Sequence, residues 1–327
     1  MNGKVRFANP ALAVARTTAT ELCGQPVVMM LLVAGMLLTA LVPLLHFHDF
    51  GEPGRICRDS GLAYQLVIGT VLAVAACASS IHAEITEGTA LAALGKPISR
   101  SAFLFGKWLG VMQVTFRFWF CMLASSMVAW RVPQRFADFG DDGAGYVTDG
   151  PAQCALLLVP VASLLLAACL HNRRHFRFCK TTIAAATALS ALLAAVCALF
   201  NTRWQFAPSA DNLDFAAPPA SLLVLFALAV YGAIATALST RLPAAPVLVV
   251  SLALVALGLS ADSIAAASPL LAMLPLPNLQ SFWMCDAVAA GGALPPFYLA
   301  KAFAYAAACI ALALGAGMLL FRTRDIG

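Results

Sequence analysis

Eight runs of mostly apolar residues, separated by shorter polar segments, set the pattern of the chain. They lie near residues 27–45, 62–81, 108–130, 153–170, 181–200, 222–239, 245–266 and 297–321. A helix that crosses the hydrocarbon core of a bilayer needs about 20 predominantly apolar residues, and the runs match or approach that length. The pattern therefore predicts an all-α polytopic membrane protein with about eight transmembrane helices.

The composition excludes a soluble protein of this size. Hydrophobic residues make up 61% of the chain and charged residues 11%. In soluble domains about 45–50% of the residues are apolar and about a quarter are charged. The mean hydropathy is +0.87. A single core could not hide so much apolar surface from water, so much of this surface must face lipid.

The ten cysteines are scattered and lie mostly inside apolar runs, where they pack as small hydrophobic residues rather than forming a disulfide framework.

The polar segments divide what is predicted to be one transmembrane domain, residues 1–327. Residues 1–26 form a cytoplasmic or interfacial N-terminal segment, in which residues 10–23 predict a short amphipathic helix at the membrane surface. Residues 82–107 form a polar cytoplasmic loop. Residues 269–296 form an outer loop whose prolines and paired glycines indicate broken interfacial helices.

The basic residues indicate how the spans are oriented. With the N-terminus in the cytoplasm, thirteen Lys and Arg residues fall on cytoplasmic segments and five on outer loops. Cytoplasmic segments of membrane proteins carry an excess of Lys and Arg, so the sequence predicts that both termini are cytoplasmic. The five outer residues are Arg55, Arg58, Arg131, Arg135 and Arg203.

The loop at residues 82–107 is the most informative polar segment. Residues 84–94 are predicted to form a short helix that Pro97 ends, and Ser99 is predicted to cap a second helix. A short helix presented to the cytoplasm would let a membrane protein receive force from a soluble partner. The alternative is a solvated loop whose charges only orient the chain.

The same loop resembles a known family. The sequence reads Glu84-Ile85-x-x-Gly88-Thr89, then Lys96-Pro97-Ile98-Ser99-Arg100, then Phe103-x-x-Gly106-Lys107-x-x-Gly110. This pattern is similar to the coupling-helix region of type-2 ABC exporter permeases. Short pieces at residues 59–62, 277–305 and 321–326 resemble the same family, whereas residues 111–270 match it only in hydropathy.

The resemblance implies a membrane-spanning permease subunit of an ATP-driven exporter, which is not itself an enzyme, in the bacterial cytoplasmic (inner) membrane. Its expected partners are a separate ATP-binding subunit, a second permease copy or paralogue, and membrane lipid, with no nucleic acid. No cofactor is expected in this chain, because ATP and magnesium would be held by the ATP-binding subunit. Typical members have six spans, which is the alternative to eight. The alternative function is a non-transporting membrane scaffold in envelope assembly or metal-site maturation.

The expected contact with the ATP-binding subunit lies in the loop, and none of its residues is expected to be catalytic. A phosphate-binding loop of the form G-x-x-x-x-G-K-[ST] is not found, since Gly95-Lys96 is followed by proline. Energy would therefore come from another polypeptide. The residues predicted to contact it are Glu84, Glu87, Gly88, Lys96, Pro97 and Arg100.

Arg117 is the candidate residue for translocation or gating. It lies ten residues, about 15 Å, beyond Lys107 in the third predicted span. This position is near the bilayer centre, where a charge is costly and usually faces protein or a water-filled cavity. The alternative is a structural arginine that bonds helix carbonyls or extends to the interface.

The remaining ionisable residues of the spans support no further site. Asp262 lies near the outer end of the seventh predicted span, and one carboxylate is too few for the ion relay of a secondary transporter. His46 and His48 could chelate a metal, but a metal site needs three or four ligands. No metal site is predicted.

Overall fold

Helices make up most of the residues that a computed structural model describes, which are residues 9–45, 54–86, 99–138, 144–267, 277–285, 287 and 294–322. The α-helices are α1 (Pro10–Leu22), α2 (Pro26–Leu41), α3 (Arg55–Thr86), α4 (Arg100–Arg131), α5 (Gly150–Arg174), α6 (Phe178–Leu199), α7 (Ala217–Ser239), α8 (Ala244–Leu259), α9 (Ala261–Ala267) and α10 (Pro296–Arg322). Short 3-10 turns lie at Val42–Leu44, Val132–Gln134, Ala210–Asn212 and Gln280–Phe282. Strands β1 (Arg135–Asp138) and β2 (Ala144–Val147) form a small antiparallel hairpin.

The prediction of an all-α polytopic membrane protein is confirmed. Seven helices of the described chain are long and apolar enough to cross a membrane: α2 with its 3-10 extension, α3, α4, α5, α6, α7 and α10. In the most apolar windows of α3, α4 and α7, 67% of residues are buried, against 22% in α5 and 17% in α10. The core of the bundle therefore lies around α3, α4 and α7, and the apolar outer faces of α5 and α10 are left for lipid.

The seventh predicted span, residues 245–266, divides into α8 of 16 residues and the short α9. The carbonyls freed at this break have partners from a later segment. The Leu279 N–H donates to the Gly258 carbonyl at 3.0 Å, and the Gln280 side chain donates to the Leu259 carbonyl at 2.8 Å. Non-helical backbone within a bilayer requires such partners, so the break and the segment that satisfies it form one unit.

Helix α1 packs lengthwise against the first half of α4. Its buried residues recur at helical spacing and form one face, made of Ala11, Ala15, Thr18, Ala19 and Leu22. The predicted N-terminal helix is therefore present with an amphipathic pattern, and its apolar face is covered by another helix of the same chain.

The two ends of the bundle carry different polar contacts. At one end, called here the α1 end, the Arg100 guanidinium donates to the Phe321 carbonyl at 3.1 Å and lies over the Phe321 ring. At the opposite end, Arg131 lies beside the last turn of α6. Because α6 has 22 residues and α4 has 32, the extra length of α4 projects at the α1 end.

Candidate functional site

Helices α3 and α4 hold the predicted coupling loop between them. Each has 32 residues, about 48 Å at 1.5 Å per residue, whereas the hydrocarbon core is about 30 Å thick. Glu84 lies in the last turn of α3. Glu87, Gly88, Lys96 and Pro97 lie outside the residues that the structure describes.

The helix that follows the loop begins as predicted at Ser99. The Ser99 hydroxyl caps it by accepting from the Ala102 N–H at 3.2 Å. Instead of a separate short helix, this cap starts the full-length α4. Arg100, a predicted partner contact, is tied to the end of α10, and Phe103 stacks on Phe321 with ring centroids 6.1 Å apart. The end of the loop is thus fixed to the last helix.

Arg117 lines a pocket at the α1 end, between α1, α4 and the first turn of α6. The pocket has a volume of about 400 Å³ and contains two further basic side chains, Arg16 and Lys180. An Arg117 Nη1 donates to the Cys23 thiol sulfur at 3.7 Å, its only hydrogen bond within the described chain. Within the same residues none of the three cations forms an ion pair. Arg117 therefore faces a cavity and bonds no helix carbonyl of the described chain, and its guanidinium extends to Cys23, just before the first turn of α2.

The pKa of the Cys23 thiol depends on the charges in this pocket. Burial raises its pKa above the ordinary value, and the neighbouring Arg117 and Lys180 cations offset part of the rise. Because the thiolate is the reactive form, the pH dependence of Cys23 alkylation reports the local charge.

Arg117→Gln is expected to move the alkylation profile of Cys23 to higher pH. The substitution removes a cation that stabilises the thiolate, so the already raised pKa rises further. The measurement is iodoacetamide labelling across a pH series, with peptide mapping to follow Cys23 alone. Arg174→Gln, at the exposed last residue of α5, is the control and should leave the profile in place. A profile that moves to lower pH in Arg117→Gln would contradict the assignment of Arg117 as the neighbouring charge.

A buried polar network at the opposite end was not predicted. Arg131 is fully buried and bonds Asp149 through Nε at 3.1 Å. Its Nη atoms donate to the carbonyls of Cys197, Phe200 and Asn201 at 2.6 to 2.7 Å. Arg131 thereby joins the end of α4 to the start of α5 and the end of α6.

Asp149 completes this network and also caps α5. One carboxylate oxygen accepts from the Ala152 N–H at 3.3 Å and from the Trp204 indole N–H at 2.8 Å. The sequence did contain a signal, because an Asp immediately before Gly150 and Pro151 is typical of a helix N-cap. Arg131 stands at the end of an apolar run, where a basic residue that only orients the chain would also stand, so its position in the sequence does not distinguish the two roles.

The other ionisable residues form smaller contacts. Arg58 is paired with the buried Asp214 and joins α3 to the segment before α7. Asp262 accepts from the Asn278 side chain at 2.7 Å beside the break after α8. The described residues contain no group of three or more His, Cys, Asp or Glu side chains that could hold a metal; His46 and His48 lie outside them.

Comparisons with known protein families, with curated proteins and with solved structures find no match to this chain. The resemblance of residues 84–110 to the coupling region of type-2 ABC exporter permeases therefore stays a prediction from the sequence. The fold and the contacts described above do not depend on this resemblance.

Proposed function

We propose that the chain is the membrane-spanning permease subunit of an ATP-driven ABC export system, which works with a separate ATP-binding subunit. The observation that carries the proposal is the pair α3 and α4. These two helices pack against each other, exceed the thickness of a bilayer, and hold between them the loop whose sequence resembles a coupling helix.

Hydrogen bonds made by α4 connect the end of this loop to other helices of the bundle. The Trp108 indole N–H donates to the Ala229 carbonyl at 3.2 Å, and the Trp119 indole N–H donates to the Ser221 carbonyl at 2.8 Å. These two bonds tie α4 to α7, and Arg100 ties its start to α10. A displacement of the loop by a partner would therefore move three helices together, as an alternating-access cycle requires.

The charge pattern supports one orientation of the chain in the membrane. The α1 end carries the basic turn at residues 171–177 together with Arg100 and Arg241. An excess of basic residues is typical of the cytoplasmic side. The proposal therefore places the α1 end, both termini and the ATP-binding subunit in the cytoplasm.

Glu84→Arg/Glu87→Arg is expected to weaken binding of the ATP-binding subunit by at least about tenfold, because charges across an interface are arranged to be complementary and the reversal turns each attraction into a repulsion. The measurement is co-purification of the chain with a co-expressed ATP-binding subunit, followed by ATP hydrolysis in lipid nanodiscs. Glu21→Arg is the matched control, since Glu21 is exposed at the same end but lies on α1. A complex that tolerates the double reversal would contradict the predicted contact.

Transport and scaffolding are separated by a second measurement on the intact complex. If the complex is an exporter, vesicles whose ATP-binding subunits face outward should take up candidate hydrophobic solutes when ATP is added outside. ATP hydrolysis that depends on the loop, with no movement of any solute tested, would favour the scaffold.

A further inference from the structure

The pocket that contains Arg117 has the character of an anion site. Three basic side chains reach it from three different helices: Arg16 from α1, Arg117 from α4 and Lys180 from α6. Among the described residues, the lining of the pocket contains no carboxylate, and none of the three cations is in an ion pair with a described residue. Basic side chains that converge without a carboxylate among their described neighbours attract an anionic ligand.

The polar groups of the pocket suit a phosphate. Arginine presents a planar set of donors that matches phosphate geometry, and lysine adds a mobile point charge. Gln113 and Thr20 also line the cavity and can supply neutral donors. A volume of about 400 Å³ accommodates a phosphate with its substituents.

The pocket lies at the level where the apolar helices α2 and α6 begin, and we take this level as the boundary of the membrane. Cys23 lies just before α2, whose apolar span begins at Pro26, and Lys180 lies in the first turn of α6. The guanidinium of Arg117 reaches this level although its backbone lies further along α4. Phospholipid phosphates lie at the same level, and basic pockets between transmembrane helices bind such headgroups.

An apolar groove continues from the pocket along α4. It has a volume of about 460 Å³, shares Gln113 and Arg117 with the pocket, and runs over Leu109, Met112 and Phe116. These positions follow the i, i+3, i+4, i+7 spacing of one helix face. A soluble phosphate would leave this surface unused, whereas an acyl chain would cover it.

We propose that this pocket binds the phosphate of an anionic phospholipid, with an acyl chain of the same lipid in the adjoining groove along α4. The proposal does not require the chain to be a permease. It gives Arg117 a ligand of defined chemistry and makes α1, through Arg16, part of a lipid site.

The test compares anionic and zwitterionic lipids on the purified full-length chain. After delipidation in detergent, phosphatidylglycerol, phosphatidylethanolamine and inorganic phosphate are added separately, and bound molecules are counted by native mass spectrometry. The chain should bind phosphatidylglycerol in preference to the other two. Protection of Cys23 from maleimide by phosphatidylglycerol would localise the lipid to the pocket.

Arg117→Gln/Lys180→Gln is expected to weaken phosphatidylglycerol binding about fivefold for each cation removed. Arg173→Gln/Arg174→Gln removes the same charge from the exposed turn at the same end and should bind as the wild type does. Arg117→Lys should retain binding, which separates loss of charge from loss of folding.

Three results would overturn the proposal. Equal loss in the Arg173→Gln/Arg174→Gln control would mean that charge over the whole end attracts lipid. Binding of phosphatidylethanolamine as tight as that of phosphatidylglycerol would show that the three cations do not select the lipid. Binding of inorganic phosphate as tight as that of phosphatidylglycerol would assign the pocket to a soluble anion.

Discussion

Asp149→Ala is expected to lower the free energy of unfolding by about 3–5 kcal/mol, because it leaves the Arg131 guanidinium buried without its counter-charge. The same substitution removes the cap of α5 and the acceptor of the Trp204 indole. Loss of an N-cap alone costs about 1 kcal/mol. The effect should be large because one carboxylate serves a buried ion pair, a helix terminus and an aromatic donor.

The measurement is thermal unfolding of the purified chain in detergent, followed by tryptophan fluorescence. Asp211→Ala is the matched control at the same end, since Asp211 is exposed and bonds only Ser209 within the described chain. Arg131→Met/Asp149→Asn should recover part of the loss, because replacing both members of a buried pair leaves no unpaired charge. If Asp149→Ala and Asp211→Ala unfold at the same temperature, the network does not stabilise the bundle as its geometry indicates.

The hydropathy pattern predicted the fold well because lipid imposes a simple rule. Every backbone polar group in the hydrocarbon core must bond within the chain, so a long apolar run forms a helix. Seven of the eight runs do so at full length. The run at residues 245–266 breaks after Leu259 because Leu279 and Gln280, about 20 residues later in the chain, satisfy the freed carbonyls. No local pattern could reveal that pairing.

The basic pocket was only partly predictable. Arg117 was identified from its depth in an apolar run, because a charge at that depth is energetically costly and usually has a function. Arg16 and Lys180 looked like ordinary determinants of orientation. Hydropathy reports neither which helices are neighbours nor how each is rotated, so the convergence of three cations required the structure. The same limitation hid the pairing of Arg131 with Asp149.

The glycine pair in α4 shows a similar limit. Gly106 and Gly110 are four residues apart and match the G-x-x-x-G pattern that allows close helix contact. The structure uses them within one chain, where they face α1. A Cβ on Gly106 would lie 2.7 Å from the Ala11 carbonyl oxygen, and one on Gly110 would lie 2.7 Å from Thr18 Cβ.

Gly106→Ala/Gly110→Ala is therefore expected to displace α1 from α4. Overpacking costs about 1–3 kcal/mol at each site, and here the backbone of α1 cannot swing aside as a flexible side chain could. Hydrogen exchange of the α1 amides, residues 10–22, should accelerate strongly.

Gly315→Ala is the control, because a Cβ at Gly315 meets nothing within 4 Å. Alanine replaces glycine in a helix with a gain of about 0.5–1 kcal/mol, so the control should be neutral or stabilising while the pair is destabilising. Slow exchange of α1 in the double variant would contradict close packing as the reason for the two glycines. Fast exchange with an intact bundle would show that α1 depends on this contact. Phosphatidylglycerol binding should then weaken as well, since Arg16 would leave the pocket together with α1.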